Sequence, residues 1–94
     1  MDKISDGKLK KYFSMSREAF EIARKSECGK GLERERAAFL DTIKRYISDA
    51  EHFNKMNDKV NAFAALNYAH GWLDAGAKIG LWKVENSELF AGVD

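Results

Sequence analysis

Residues 58–79 have the sequence DKVNAFAALNYAHGWLDAGAKI, which is apolar on two adjoining sides of a helix. One side is a seam rich in small residues, made of Ala62, Leu66, Ala69, Leu73, Gly76 and Gly80. The second apolar strip lies beside it and contains Ala65, Tyr68, Trp72 and Ile79. A helix with two apolar sides has to bury each of them against a neighbouring helix. Each helix of a three-helix bundle has two such neighbours. The pattern therefore predicts a helix of such a bundle.

Two amphipathic stretches precede this segment and supply the neighbours. The spacing predicts a first helix over 6–25, on which Leu9, Tyr12, Phe13, Ser16, Ala19, Phe20 and Ala23 share one side. It predicts a second helix over 32–55, with an apolar face formed by Phe39, Leu40, Ile43, Tyr46, Ile47, Ala50 and Phe53. We therefore expect an all-α, up-and-down three-helix bundle, with residues 1–94 forming a single domain.

Turn-forming residues separate the predicted helices. Two glycines at 29 and 31 favour a turn after the first helix. The break at 56–59 is so short that the second and third helices must be antiparallel neighbours. Either Asn57 or Asp58 can cap the third helix, which is expected over 58–79, and Gly80 can end it in a left-handed conformation.

The segment 81–94 is too apolar to be a free linker. It contains Leu81, Trp82, Val84, Leu89 and Phe90. We expect it to fold back against the bundle, partly extended, with a turn of helix after Asn86 and Ser87.

Composition excludes several classes of protein. The chain has 94 residues, of which 45% are apolar, and no proline, so it is neither disordered nor collagen-like. A net charge of +1 gives no strong field toward nucleic acid or an anionic membrane. Cys28 is the single cysteine, which favours a reducing, cytoplasmic location over secretion. We also expect no signal peptide and no membrane span, because no apolar run is long enough.

Polar residues on the predicted third helix form a candidate cluster with the second. Asn67, His70 and Asp74 share one side of the helix, and the antiparallel register places Asp41 opposite Asp74 and Arg45 opposite His70. One interpretation is a carboxylate-oriented histidine or a metal held by two aspartates and the histidine, as in an acid/base or metal-dependent enzyme. The other is a set of salt bridges and hydrogen bonds that fixes the register. The cluster lacks a nucleophile, so we expect no catalytic residue, bound metal or cofactor.

Aromatic residues suggest a surface for a partner. Together with Met15 and Ile22, the side chains of Tyr68, Trp72 and Trp82 amount to more apolar surface than a small monomer easily covers. Either the tail covers them, or they bind another protein or a second copy of the chain. We therefore predict a small helical interaction or self-association module without catalytic activity.

The predicted first helix has a basic side, formed by Lys3, Lys8, Lys10, Lys11, Arg17, Arg24 and Lys25. This side raises a third hypothesis, weak binding to nucleic acid. Because Tyr12 and Phe13 lie on the predicted core face, the charges have no aromatic residues beside them for stacking on bases. We therefore do not expect nucleic acid to be the partner.

The stretch from Asn61 to Gly76, NAFAALNYAHGWLDAG, resembles a family of short archaeal proteins, domain-of-unknown-function family 357. Upstream, Tyr46, Asp49, Ala50 and Phe53 are part of the same resemblance. The resemblance implies an up-and-down three-helix bundle and a cytoplasmic, archaeal setting. It implies no activity, substrate or catalytic residue.

Overall fold

The computed structural model describes residues 3–85 and 88–90, which contain three α-helices. These are α1 (Asp6–Lys25), α2 (Glu33–Lys55) and α3 (Lys59–Lys78). No β-strand occurs in those residues, so the predicted all-α three-helix fold is confirmed. The predicted helix bounds differ from the observed ones by one residue at most. Within the described residues, no helix is long and apolar enough to cross a membrane.

Local capping interactions set the helix ends. Ser5 Oγ accepts a hydrogen bond from the backbone N–H of Lys8 at the start of α1, at 3.1 Å. Asp58, one of the two predicted caps, accepts from the backbone N–H of Asn61 at the start of α3. Asn57 instead has a φ of 60°, a left-handed conformation that asparagine tolerates and that ends α2 sharply. Gly80 has a φ of 85° just after α3, as predicted.

The helix pair α2 and α3 forms the main body of the fold, and α1 packs chiefly on α3. Tyr46 of α2 stacks on Tyr68 of α3, with ring centroids 5.4 Å apart. Phe39, two turns earlier on α2, meets Trp72 further along α3 at 4.7 Å. From the first contact to the second, the position moves toward the start of α2 and toward the end of α3. The two helices are therefore antiparallel.

The core consists of two clusters of buried residues. Near the α2–α3 turn it is built from Leu9, Phe13, Ala50, Ala62, Ala65 and Leu66. Toward the other end it contains Ala19, Ala23, Ile43, Ile47, Ala69 and Leu73, together with the tail residues Leu81, Trp82, Leu89 and Phe90. The described part of the tail therefore folds back on the bundle as expected. The predicted turn of helix after Asn86 and Ser87 begins at residues outside those described.

Backbone hydrogen bonds tie the α1–α2 loop to the end of α3 and the tail. The N–H of Gly29 donates to the carbonyl of Gly80 at 2.9 Å, and the N–H of Lys83 donates to the carbonyl of Glu27 at 3.0 Å. Arg36 joins the same region, because its guanidinium donates to the carbonyls of Arg24 and Leu81 at 2.6 and 3.1 Å. The three connections close this end of the bundle.

Candidate functional site

Two members of the predicted polar cluster, Arg45 and His70, contact residues other than each other. Arg45 forms an ion pair with Asp41 on its own helix, at 3.0 Å, and both side chains are largely exposed. His70 points instead toward α1, where its Nδ1 is hydrogen-bonded to Ser16 Oγ at 3.4 Å. Ser16 is completely buried, so the imidazole supplies the partner that its hydroxyl needs away from water. The expected pairing of Arg45 with His70 is therefore not observed.

The other two members of the predicted cluster differ in burial. Asn67 is exposed on the outer side of α3, whereas Asp74 is half-buried. Among the described residues, no three histidine, cysteine or acidic side chains are arranged so that they could hold a metal ion. Asp41, His70 and Asp74 thus form no shared metal site in this conformation.

Of the three predicted surface aromatics, only Tyr68 is strongly exposed. Its exposed fraction is 62%, whereas Trp72 is half-buried and Trp82 is 1% exposed. The Trp82 ring lies over Gly76, where the absence of a side chain leaves room for it. Its Nε1–H donates to the carbonyl of Leu73 at 2.9 Å, which satisfies the indole inside the core. Trp82 is therefore a core residue and not part of an exposed surface.

The outer side of α3 is a continuous surface with almost no charge. We call it the α3 strip, and it consists of Val60, Ala64, Asn67, Tyr68, Gly71, Trp72, Ala75 and Ile79. Every residue of α3 is described, and among its exposed residues only Lys78 carries a charge. In α1, by contrast, nine of the exposed residues carry a charge: Asp6, Lys8, Lys10, Lys11, Arg17, Glu18, Glu21, Arg24 and Lys25.

A shallow depression of about 340 Å³ lies in the middle of the α3 strip. We call it the Gly71 hollow, and it is lined by Phe39, Asn67, Tyr68, Gly71, Trp72 and Ala75. Its aromatic walls are held in place by the helix behind them. Tyr68 stacks on Tyr46, and Trp72 meets Phe39 edge to face. The hollow can take one apolar side chain from a facing helix.

A larger groove, of about 800 Å³, lies between α1 and α2 near the start of α1. Leu9 and Phe13 form an apolar floor, but the rim is charged. Arg17 of α1 forms an ion pair with Glu51 of α2 across this groove, at 2.8 Å. The rim charges are thus partly paired with one another, and the groove is more polar than the α3 strip.

The basic side of α1 is also partly neutralised by acidic neighbours. Arg24 and Lys25 both pair with Glu21, at 2.7 and 3.8 Å. The hydrogen bonds from Arg24 lower the pKa of the Glu21 carboxyl and raise the pKa of the Arg24 guanidinium. Tyr12 and Phe13 face inward, with Tyr12 packed edge-on against Phe63. Of the remaining lysines, Lys8 lies over the Phe63 ring, with its Nζ 5.2 Å from the ring centroid.

Comparison with protein families finds a match over most of the chain. A family model described as "Protein of unknown function (DUF357)" matches residues 11–82. The matched range runs from the first turns of α1 to Trp82 and contains the whole α3 strip. Comparisons with curated proteins and with solved structures find no match.

Proposed function

Because the chain belongs to this family of unknown function, DUF357, we propose its role from its surface: it is a helical interaction module that binds another polypeptide through the α3 strip. The observation that supports this most is the near absence of charge on an exposed helix face. The strip runs from Val60 to Ile79, which spans about 28 Å of helix. A helix face that is in contact only with solvent carries charged residues, as the exposed face of α1 does.

The exposed side chains of the strip favour association. Val60, Tyr68 and Ile79 are each more than half exposed. Covering them removes apolar surface from water and stabilises a complex by about 1 kcal/mol for each side chain. Tyr68 and Trp72 are already fixed by their ring contacts, so little conformational entropy is lost when a partner orders them.

The shape of the strip fits a helix. Ala64, Gly71 and Ala75 lie along its length and let another backbone approach closely. On either side, Tyr68 and Trp72 form ridges between which an apolar side chain can pack. We therefore infer that the partner presents an amphipathic helix with small and apolar residues on one face.

The two alternatives have less support from the geometry. An acid/base or metal-dependent reaction at Asp41, His70 and Asp74 needs these groups to converge, whereas Asp41 pairs with Arg45 and His70 contacts Ser16 of α1. Nucleic-acid binding through α1 needs free cations, whereas Arg17, Arg24 and Lys25 are in ion pairs with Glu51 and Glu21.

The test uses Gly71→Arg, which fills the hollow and places a charge on the strip. A β-carbon at Gly71 meets nothing within 4 Å, so a side chain can leave the helix there without a clash at its first atom. Gly7→Arg is the matched control, because Gly7 is equally open but lies on α1. Tagged chains are expressed in the organism of origin, purified and weighed by native mass spectrometry.

We expect the wild type and Gly7→Arg to be recovered in a complex heavier than the 10.7 kDa monomer, and Gly71→Arg to be recovered as the monomer. A wild type that is monomeric at every concentration tested, or a complex that survives in Gly71→Arg, contradicts the proposal.

A further inference from the structure

Building on the proposed function, we propose that the α3 strip binds a second copy of this chain, packed antiparallel across a two-fold axis between Tyr68 and Gly71. The structure thus assigns the partner helix to α3 itself. Three independent properties of the strip carry this assignment: the spacing of its residues, its shape and the position of its charge.

The spacing of the outermost residues is symmetric along the helix. Val60, Ala64, Tyr68, Gly71, Ala75 and Ile79 are separated by four, four, three, four and four positions. When an identical helix packs antiparallel about the middle of this series, every strip residue faces another strip residue. Val60 faces Ile79, Ala64 faces Ala75, and Tyr68 faces Gly71. Such reciprocal pairing is the geometry of an isologous interface.

The shape of the strip is complementary to itself. Tyr68 is strongly exposed and lies at one end of the Gly71 hollow, which extends along the same helix to Ala75. In the antiparallel register the Tyr68 ring of one copy fills the hollow of the other, and the contact occurs twice. The same register places the side-chain amide of Asn67 opposite the Trp72 indole of the second copy. The amide oxygen can then accept a hydrogen bond from the indole N–H.

The position of the charge also favours the antiparallel arrangement. Lys78 lies near one end of the strip and faces Asn61 of the second copy. The two Lys78 residues are then about 25 Å apart, well beyond the Debye length of about 8 Å at physiological salt. A parallel pair would instead place the lysines side by side, set Tyr68 against Tyr68 and leave both hollows empty.

The contact consists of one helix on one helix, together with the aromatic side chains that flank it. This is smaller than the roughly 800 Å² per partner of a standard interface. We therefore expect a dimer that dissociates on dilution.

The first experiment is sedimentation equilibrium of the purified chain alone, over two decades of concentration. We expect the apparent mass of the wild type and of Gly7→Arg to rise with protein concentration from that of the monomer toward twice that value. Gly71→Arg should weaken the dimer by at least about tenfold. A wild type that stays monomeric, or a dimer that Gly71→Arg leaves intact, overturns the proposal.

The second experiment tests the register by oxidative cross-linking in a Cys28→Ser background. Ala64→Cys mixed with Ala75→Cys should cross-link faster than either variant alone, because these positions face each other in the antiparallel dimer. Faster cross-linking of Ala64→Cys with itself overturns the register.

The two proposals fail separately. If the purified chain is monomeric but Gly71→Arg abolishes a complex with a different protein in the organism of origin, the second copy is excluded and the interaction module stands. If Gly71→Arg changes neither measurement, both proposals are overturned.

Discussion

Trp82 lies directly on Gly76, so that a β-carbon at position 76 would overlap the indole ring. Gly76 is buried in the seam of α3, and Trp82 is the largest fully buried side chain of the described residues. The glycine therefore serves to let the tail pack against α3.

Gly76→Ala should destabilise the fold by about 1–3 kcal/mol, because overpacking against Trp82 outweighs the gain in helix propensity of about 1 kcal/mol. Gly71→Ala is the matched control. It lies on the same helix with open space around it, so it should be neutral or stabilise by up to about 1 kcal/mol. Urea unfolding followed by tryptophan fluorescence measures both. Equal effects of the two substitutions would contradict the packing described here.

The hydrogen bond between Ser16 and His70 is expected to contribute to stability. In a double-mutant cycle, Ser16→Ala and His70→Ala should show a coupling free energy of about 0.5–1.5 kcal/mol. The corresponding cycle of Arg45→Ala with His70→Ala should show none, because Arg45 pairs with Asp41. Denaturant midpoints of the single and double variants provide the measurement. A measurable coupling free energy between Arg45 and His70 would contradict this account and support the predicted polar cluster.

Arg36 is expected to hold the tail against the end of α1. Arg36→Met retains the apolar stem but removes the hydrogen bonds to the carbonyls of Arg24 and Leu81. We expect a loss of about 1–3 kcal/mol in the free energy of unfolding. The fluorescence of Trp82, next to Leu81, should shift to longer wavelength if the tail loosens. Arg34→Met, at an exposed position of the same helix, should leave both quantities nearly unchanged.

Much of the fold is predictable because local signals mark the helix ends. The glycines at 29, 31 and 80 and the cap at Asp58 fix where the chain turns. The short 56–59 break fixes the antiparallel pairing, and the observed contact of Tyr46 with Tyr68 agrees with that register.

The candidate site is less predictable, because spacing on one helix does not say which neighbour each residue faces. His70 shares a side of α3 with Asn67 in the sequence pattern, yet it turns toward Ser16 because α1 offers a buried hydroxyl there. Gly76 in an apolar seam hints that a bulky group packs on it, but the sequence does not identify Trp82 as that group. No pattern in the sequence marks Arg36, whose partners are backbone carbonyls.

The most direct test of the central claim is a dilution series of ¹⁵N-labelled protein followed by NMR. The claim predicts that the amide signals of Ala64, Gly71 and Ala75 and the indole signal of Trp72 shift with concentration, while those of Lys10, Lys11 and Glu18 on α1 stay fixed. Gly71→Arg should abolish these shifts. Signals that do not change with concentration, or changes confined to α1, would contradict a second copy bound on the α3 strip.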